Sequence, residues 1–113
     1  MTPFSITTEP RDHALAVVVH GDLDISTAPR LRDALAAARE RGPGRYLLDL
    51  TPCTFVDSSG SRAIAIEGEA FEAAGLALSV HCPIENRQVR FVLELIGLPD
   101  VMSVTPPSEP AGA

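Results

Sequence analysis

The chain alternates short apolar runs with stretches of helical spacing, and no other feature limits its fold so tightly. Residues Ala14 to His20 (ALAVVVH) form a β-branched run ending at Gly21, which reads as a strand. A weaker alternation from Phe4 to Thr8 precedes it, with a turn expected through Pro10, Arg11 and Asp12. Together they predict an opening hairpin. A helix then follows Asp24, with Ser26 or Thr27 as its cap, Pro29 in the first turn, and Leu31, Leu35 and Ala38 as one apolar stripe. Arg39 and Arg41 favour its carboxyl end, and Gly42-Pro43 stops it.

Tyr46 to Leu50 (YLLDL) reads as the next strand, followed by a loop and by a helix from Asp57-Ser58-Ser59-Gly60 to about Ala74. Leu76 to Cys82 returns to strand, Val89 to Ile96 makes a short helix closed by Gly97, and Val101 to Val104 is a last short strand. The expected order is β-β-α-β-α-β-α-β. That order predicts a single α/β domain over residues 1–104, a mixed four- to five-stranded sheet with helices packed against it. The proline-rich stretch 105–113 is expected to be a flexible tail.

Composition removes several function classes. The 113 residues carry a net charge of −6, and every one of the nine cations is arginine. An acidic chain without a basic cluster lacks the phosphate-neutralising surface that nucleic-acid binding requires. No apolar run approaches a membrane span, and the N-terminus has no basic segment before an apolar one, so a cytoplasmic protein is expected. Cys53 and Cys82 form no motif and are expected as reduced, buried thiols; His81 beside Cys82 supplies too few ligands for a metal. His13 and His20 flank the first apolar run as strand-end residues. No cofactor is expected.

The chemistry concentrates at Asp57-Ser58-Ser59-Gly60. A strand and loop deliver Asp57 and Ser58 to a helix N-terminus, where unpaired N–H groups and the positive dipole end favour an oxygen or a phosphate. Taken alone, such a motif is most often simply a cap. Gly21-Asp22-Leu23-Asp24 also closes a strand just before a capped helix. If the two strands are neighbours, Asp22, Asp24 and Asp57 surround the serine with negative charge. In the helix that follows, Ile64 and Phe71 make one stripe, while Ala63, Ile66, Ala70 and Ala73 make another. Only one can face the sheet fully; the other is either partly exposed for a partner or, equally compatible with such small residues, enclosed in a mostly buried helix.

These residues resemble a known family. GDLDISTAPRLRDAL from Gly21, LLDLTPCTFVDSSG from Leu47 and VRFVLELIGL from Val89 look like the three signature stretches of STAS domains. The nearest group is the bacterial anti-sigma factor antagonists, and the resemblance runs from about Phe4 to Val104. It implies a binding protein and not an enzyme. The unphosphorylated domain would capture an anti-sigma factor that is also a serine kinase, releasing a sigma factor. Phosphorylation at Ser58, with Ser59 the lesser candidate, would break the capture, and a phosphatase would restore it. The expected partner surface comprises Asp22, Asp24, Asp57, Ser58, Ser59, Gly60, Arg62 and Ile66. A weak homodimer is compatible with this arrangement.

Two departures stand out. After Gly60 the family pattern has an apolar residue and then glycine, where this chain has Ser61 and Arg62. Arg62 lies four residues beyond Ser58, within helical reach of a phosphate there and equally in the way of a kinase that expects glycine. The family also commonly ends in another amphipathic helix, which the prolines at 106, 107 and 110 oppose. An enzyme reading finds no catalytic residue set: no histidine is suggested beside Ser58, and no nucleophile elbow or Walker loop appears. Asp49 and Asp57 as phosphorelay acceptors would need a lysine, and the chain has none. The rival binding reading is a non-switched STAS subunit of a larger signalling assembly, or a lipid-transporter regulator.

Overall fold

In the computed structural model, which describes residues 3–95 and 103–105, the chain opens with strands β1 (Ser5–Arg11) and β2 (Ala14–Leu23). They pair antiparallel from Ser5↔His20 to Arg11↔Ala14. The turn is therefore the two residues Asp12 and His13, both at positive φ (49° and 67°), and not Pro10 to Asp12. Two left-handed residues match the twist of a hairpin, and aspartate tolerates that conformation. Pro10 lies inside β1, where an edge strand can spare its missing N–H.

The remaining elements are α1 (Ala28–Arg39), β3 (Arg45–Asp49), β4 (Cys53–Val56), α2 (Ser58–Ala73), β5 (Ala77–His81), α3 (Arg87–Leu95) and β6 (Ser103–Thr105). Five strands lie in the order β1-β2-β3-β5-β6, antiparallel between β1 and β2 and parallel elsewhere. The mixed sheet with helices against it is the α/β architecture expected. β4 is an addition, because its residues read as loop. It pairs in parallel with the far end of β2, Gly21↔Cys53 and Leu23↔Val56.

β2 thus changes partner along its length. Residues 14–18 pair with β3, and residues 21–23 pair with β4. The register shifts between Gly21 and Asp22, and Gly21 takes φ +87°, a conformation cheap only for glycine. The bulge carries β2 three residues beyond the His20 end expected and brings Asp22 and Asp24 level with the start of α2. α3 begins two residues earlier than its apolar spacing implied. The last strand covers Ser103–Thr105, so Thr105, expected to begin the tail, pairs with His81 instead. Residues 101–102 of the expected strand, the expected helix end at 96–97 and the tail from 106 lie outside the described residues.

The core gathers Val17 and Val19 of β2, Leu31 and Leu35 of α1, Leu48 of β3, Ile64 and Phe71 of α2, and Val89 and Leu93 of α3, all fully buried. Each such side chain contributes about 1.5–3 kcal/mol relative to exposure. α1 and α2 pack side by side. Ile64 and Phe71 decide which α2 stripe faces inward; in the second stripe Ala63 is buried but Ile66 remains 40% exposed. No helix among the described residues is long and apolar enough to cross a membrane.

Candidate functional site

β2 and β4 end at the same sheet edge, and each passes directly into a helix. The Asp57 N–H donates to the Leu23 carbonyl at 3.1 Å, which ties the two exits together. The strands anticipated as neighbours are β2 and β3, which pair in parallel, and β4, read from the sequence as loop, extends that neighbourhood to Asp57.

Each aspartate at this edge has local work. Asp22 Oδ1 accepts from the Thr54 hydroxyl at 2.6 Å across the β2–β4 pair. Asp24 Oδ1 accepts from the Ser26 hydroxyl at 2.7 Å, the Ser26 N–H at 3.0 Å and the Thr27 N–H at 3.1 Å. Those bonds, the Ser26 hydroxyl first, hold the Asp24 carboxyl below the usual carboxylate range. Thr27 occupies the N-cap position of α1, but its side chain makes no cap bond. It donates instead to the Asp22 carbonyl at 2.9 Å, so Asp24 organises this turn and neither Ser26 nor Thr27 acts as the expected cap.

Asp57 caps α2 through Oδ1, which accepts from the Gly60 N–H at 2.9 Å. Three hydroxyls follow, and burial separates them. Ser61 is fully buried and donates to the Asp57 carbonyl at 3.0 Å. Ser59 is half-buried, and Ser58, the first residue of α2, is exposed. Ser61 thus fills the family's apolar position as a satisfied buried hydroxyl.

From Ser58 a groove of about 610 Å³ runs between α1 and α2. Ile25, Pro29 and Arg32 line it from the α1 side, and Ser59, Arg62 and Ile66 from α2. The buried Glu67 also lines it, with Arg32 Nε at 3.2 Å from one carboxylate oxygen and Arg39 Nη2 at 3.5 Å from the other. The site residues anticipated from the sequence thus divide. Asp22, Asp24, Asp57, Ser58, Ser59 and Gly60 cluster at the sheet edge, while Arg62 and Ile66 stand along the groove. Sequence reasoning missed the α1 wall. Its signal was Ile25, a large apolar residue set among capping residues and 75% exposed.

Other candidates fall away from this edge. Asp49 is buried at the end of β3, accepting from the Thr51 hydroxyl at 2.6 Å and from Arg11 at 2.7 Å. Cys53 and Cys82 are free, and burial pushes each thiol up to about 11. Among the described residues no three His, Cys, Asp or Glu side chains converge as a metal site.

A family model described as "Mlab, STAS domain" matches residues 6–104. Among solved structures, an anti-sigma factor antagonist from Mycobacterium paratuberculosis aligns with TM-score 0.78 and 25% identity, over 95% of this chain and 89% of that one. The anti-sigma factor antagonist SpoIIAA in its unphosphorylated form gives TM-score 0.71 and 20% identity, over 93% and 91% of the two chains. The Bacillus cell fate determinant SpoIIAA in its phosphorylated form gives 0.65 and 18%, over 93% and 95%. The last two likenesses speak to the fold. No curated protein matches the chain.

Proposed function

The chain belongs to the STAS-domain family, and from that premise we propose that it is an anti-sigma factor antagonist switched by phosphorylation at Ser58. It acts by binding, within the cytoplasm. The unphosphorylated domain captures an anti-sigma factor that is also a serine kinase, and so frees a sigma factor. Phosphate at Ser58 ends the capture, and a phosphatase renews it.

One observation carries the reading: of the three serines in Asp-Ser-Ser-Gly-Ser, only Ser58 is exposed, and it stands at the mouth of the α1–α2 groove. A kinase can reach it there. The partner surface then comprises the sheet edge (Asp22, Asp24, Asp57, Ser58, Ser59, Gly60) and the groove wall of Arg62 and Ile66. A phosphate adds about −1.5 to −2 charges. Beside Asp57 that charge opposes an acidic partner surface, and its bulk obstructs a close interface. The fold need not rearrange. The whole-length likeness to an antagonist at 25% identity supports the same class.

A second reading is a STAS subunit that holds its partner regardless of phosphate, in a larger signalling assembly or on a lipid transporter. Arg62, standing where the family pattern has glycine, favours it, since a side chain there narrows a kinase's approach. The matching family model, described as Mlab, does not itself name an antagonist. Intact and tryptic mass spectrometry of the protein from its own cells separates the two. Phosphate on Ser58 that disappears in Ser58→Ala, with capture of the anti-sigma factor limited to the unphosphorylated form, establishes the switch. Unmodified Ser58 under every growth and stress condition, with a constant complex, establishes the second reading.

A further inference from the structure

We propose that Arg62 is the phosphate receptor of this switch: once Ser58 is phosphorylated, the guanidinium one turn along α2 pairs with it across the mouth of the groove. The inference rests on the reading of Ser58 as the modified residue and adds how the modified state is held.

Ser58 is the first residue of α2 and Arg62 stands at i+4, both exposed and both lining the same groove. Side chains four apart on a helix are neighbours, and an anion placed N-terminal to its cation is the favoured orientation. The forked guanidinium matches a phosphate through two parallel N–H donors.

The surrounding charges leave this pairing to Arg62. Among the described residues Arg62 makes no ion pair, whereas Arg32 and Arg39, the other groove cations, are both engaged with Glu67. The helix end keeps the N–H groups of Ser58 and Ser59 as its own donors, and the next two are already engaged. The Gly60 N–H is held by Asp57 Oδ1, and the Ser61 N–H by the Asp57 carbonyl. Asp57 is the N-cap residue before Ser58, Asp22 and Asp24 lie at the adjoining exit of β2, and Asp33 lines the groove from α1.

Phosphorylation then subtracts as well as adds. The groove mouth gains the phosphate charge and loses the cation available to a partner's carboxylate.

The test uses the full chain with phosphoserine installed at position 58 by codon reassignment, titrated by ³¹P NMR. An unperturbed phosphoserine loses its second proton near pH 6. The paired phosphate is expected to titrate about 0.4 of a pH unit lower in the parent than in Arg62→Gln, with Arg62→Lys restoring part of the displacement and 1 M salt erasing it. Amide spectra verify the fold, and Arg62→Ala replaces the glutamine variant if that one misfolds. Superimposable titrations for parent and neutral variant overturn the proposal. Because the phosphate is installed synthetically, this outcome is independent of whether a cellular kinase reaches Ser58, which the mass spectrometry above decides.

Discussion

Leu23 occupies the space that a side chain at position 60 would need: a Cβ on Gly60 falls 2.7 Å from both Leu23 Cγ and the Leu23 carbonyl oxygen. The carbonyl cannot retreat freely, because it also accepts from the Asp57 N–H at 3.1 Å. The close seat of α2 on the end of β2 is therefore what fixes Ser58 at the sheet edge.

Gly60→Ala follows directly. Alanine favours a helix by about 1 kcal/mol over glycine, but forcing a methyl into packed space costs about 1–3 kcal/mol, and more against backbone. A net loss of about 1–2 kcal/mol in urea unfolding is expected, with amide shifts reaching Leu23 and Ser58. An alanine variant as stable as the parent would show that the contact yields.

How far the sequence foretold this arrangement depends on the range of the interactions. The β2 run, the apolar stripe of α1 and the pair Ile64 and Phe71 are periodic signals, legible over a few residues. β4 is not, because Cys53-Thr54-Phe55-Val56 becomes a strand only by pairing with Gly21 to Leu23, about thirty residues earlier. Asp24 displaced Ser26 and Thr27 as the organiser of the α1 turn for a related reason. All three side chains suit a cap, and only the seating of Thr27 against the Asp22 carbonyl selects among them. At the site, Asp57 through Gly60 was readable as a capped helix start. The α1 wall of the groove was not, since helix pairing is tertiary.

Asp49 predicts a pH dependence. Burial pushes its carboxyl up, but the Thr51 hydroxyl, Arg11 and the Thr51 N–H together hold it below the usual range. A carboxylate whose folded pKa is depressed stabilises the fold above the unfolded value near 3.9 and loses that contribution as pH falls through the folded one. Asp49→Asn is expected to cost about 1–2 kcal/mol at pH 7, discounted because Arg11 is partly exposed. The gap to the parent should hold from pH 7 to about 5 and close below about pH 4. A gap unchanged at pH 3 would exclude the carboxylate as its source.

Cys53 and Cys82 should behave as core residues. Burial raises each thiol to about 11, so the thiolate that attacks a disulfide reagent is scarce near pH 8. Both are also enclosed. Labelling of the native chain with a thiol-exchange reagent is expected to run at least about 100-fold slower than in urea, where both groups react. Stoichiometric labelling of the folded protein within minutes would place a thiol at the surface.

The docking face can be tested by contrasting two exposed apolar sets. Ile25 and Ile66 stand on opposite walls of the groove beside Ser58, 75% and 40% exposed, whereas Phe91 is 64% exposed on α3. Ile25→Ser should change stability by no more than about 0.5 kcal/mol, and Ile66→Ser by about 1 kcal/mol, since part of that side chain is already buried. If the groove receives the anti-sigma factor, each change weakens capture about tenfold or more, as truncation of an apolar anchor does. Phe91→Ser then leaves capture unaltered. The comparison is sharp because a general loss of fold would lower all three together, and melting curves would reveal it. Capture lost with Phe91→Ser but kept with both isoleucine variants would move the partner surface to α3 and detach it from the serine.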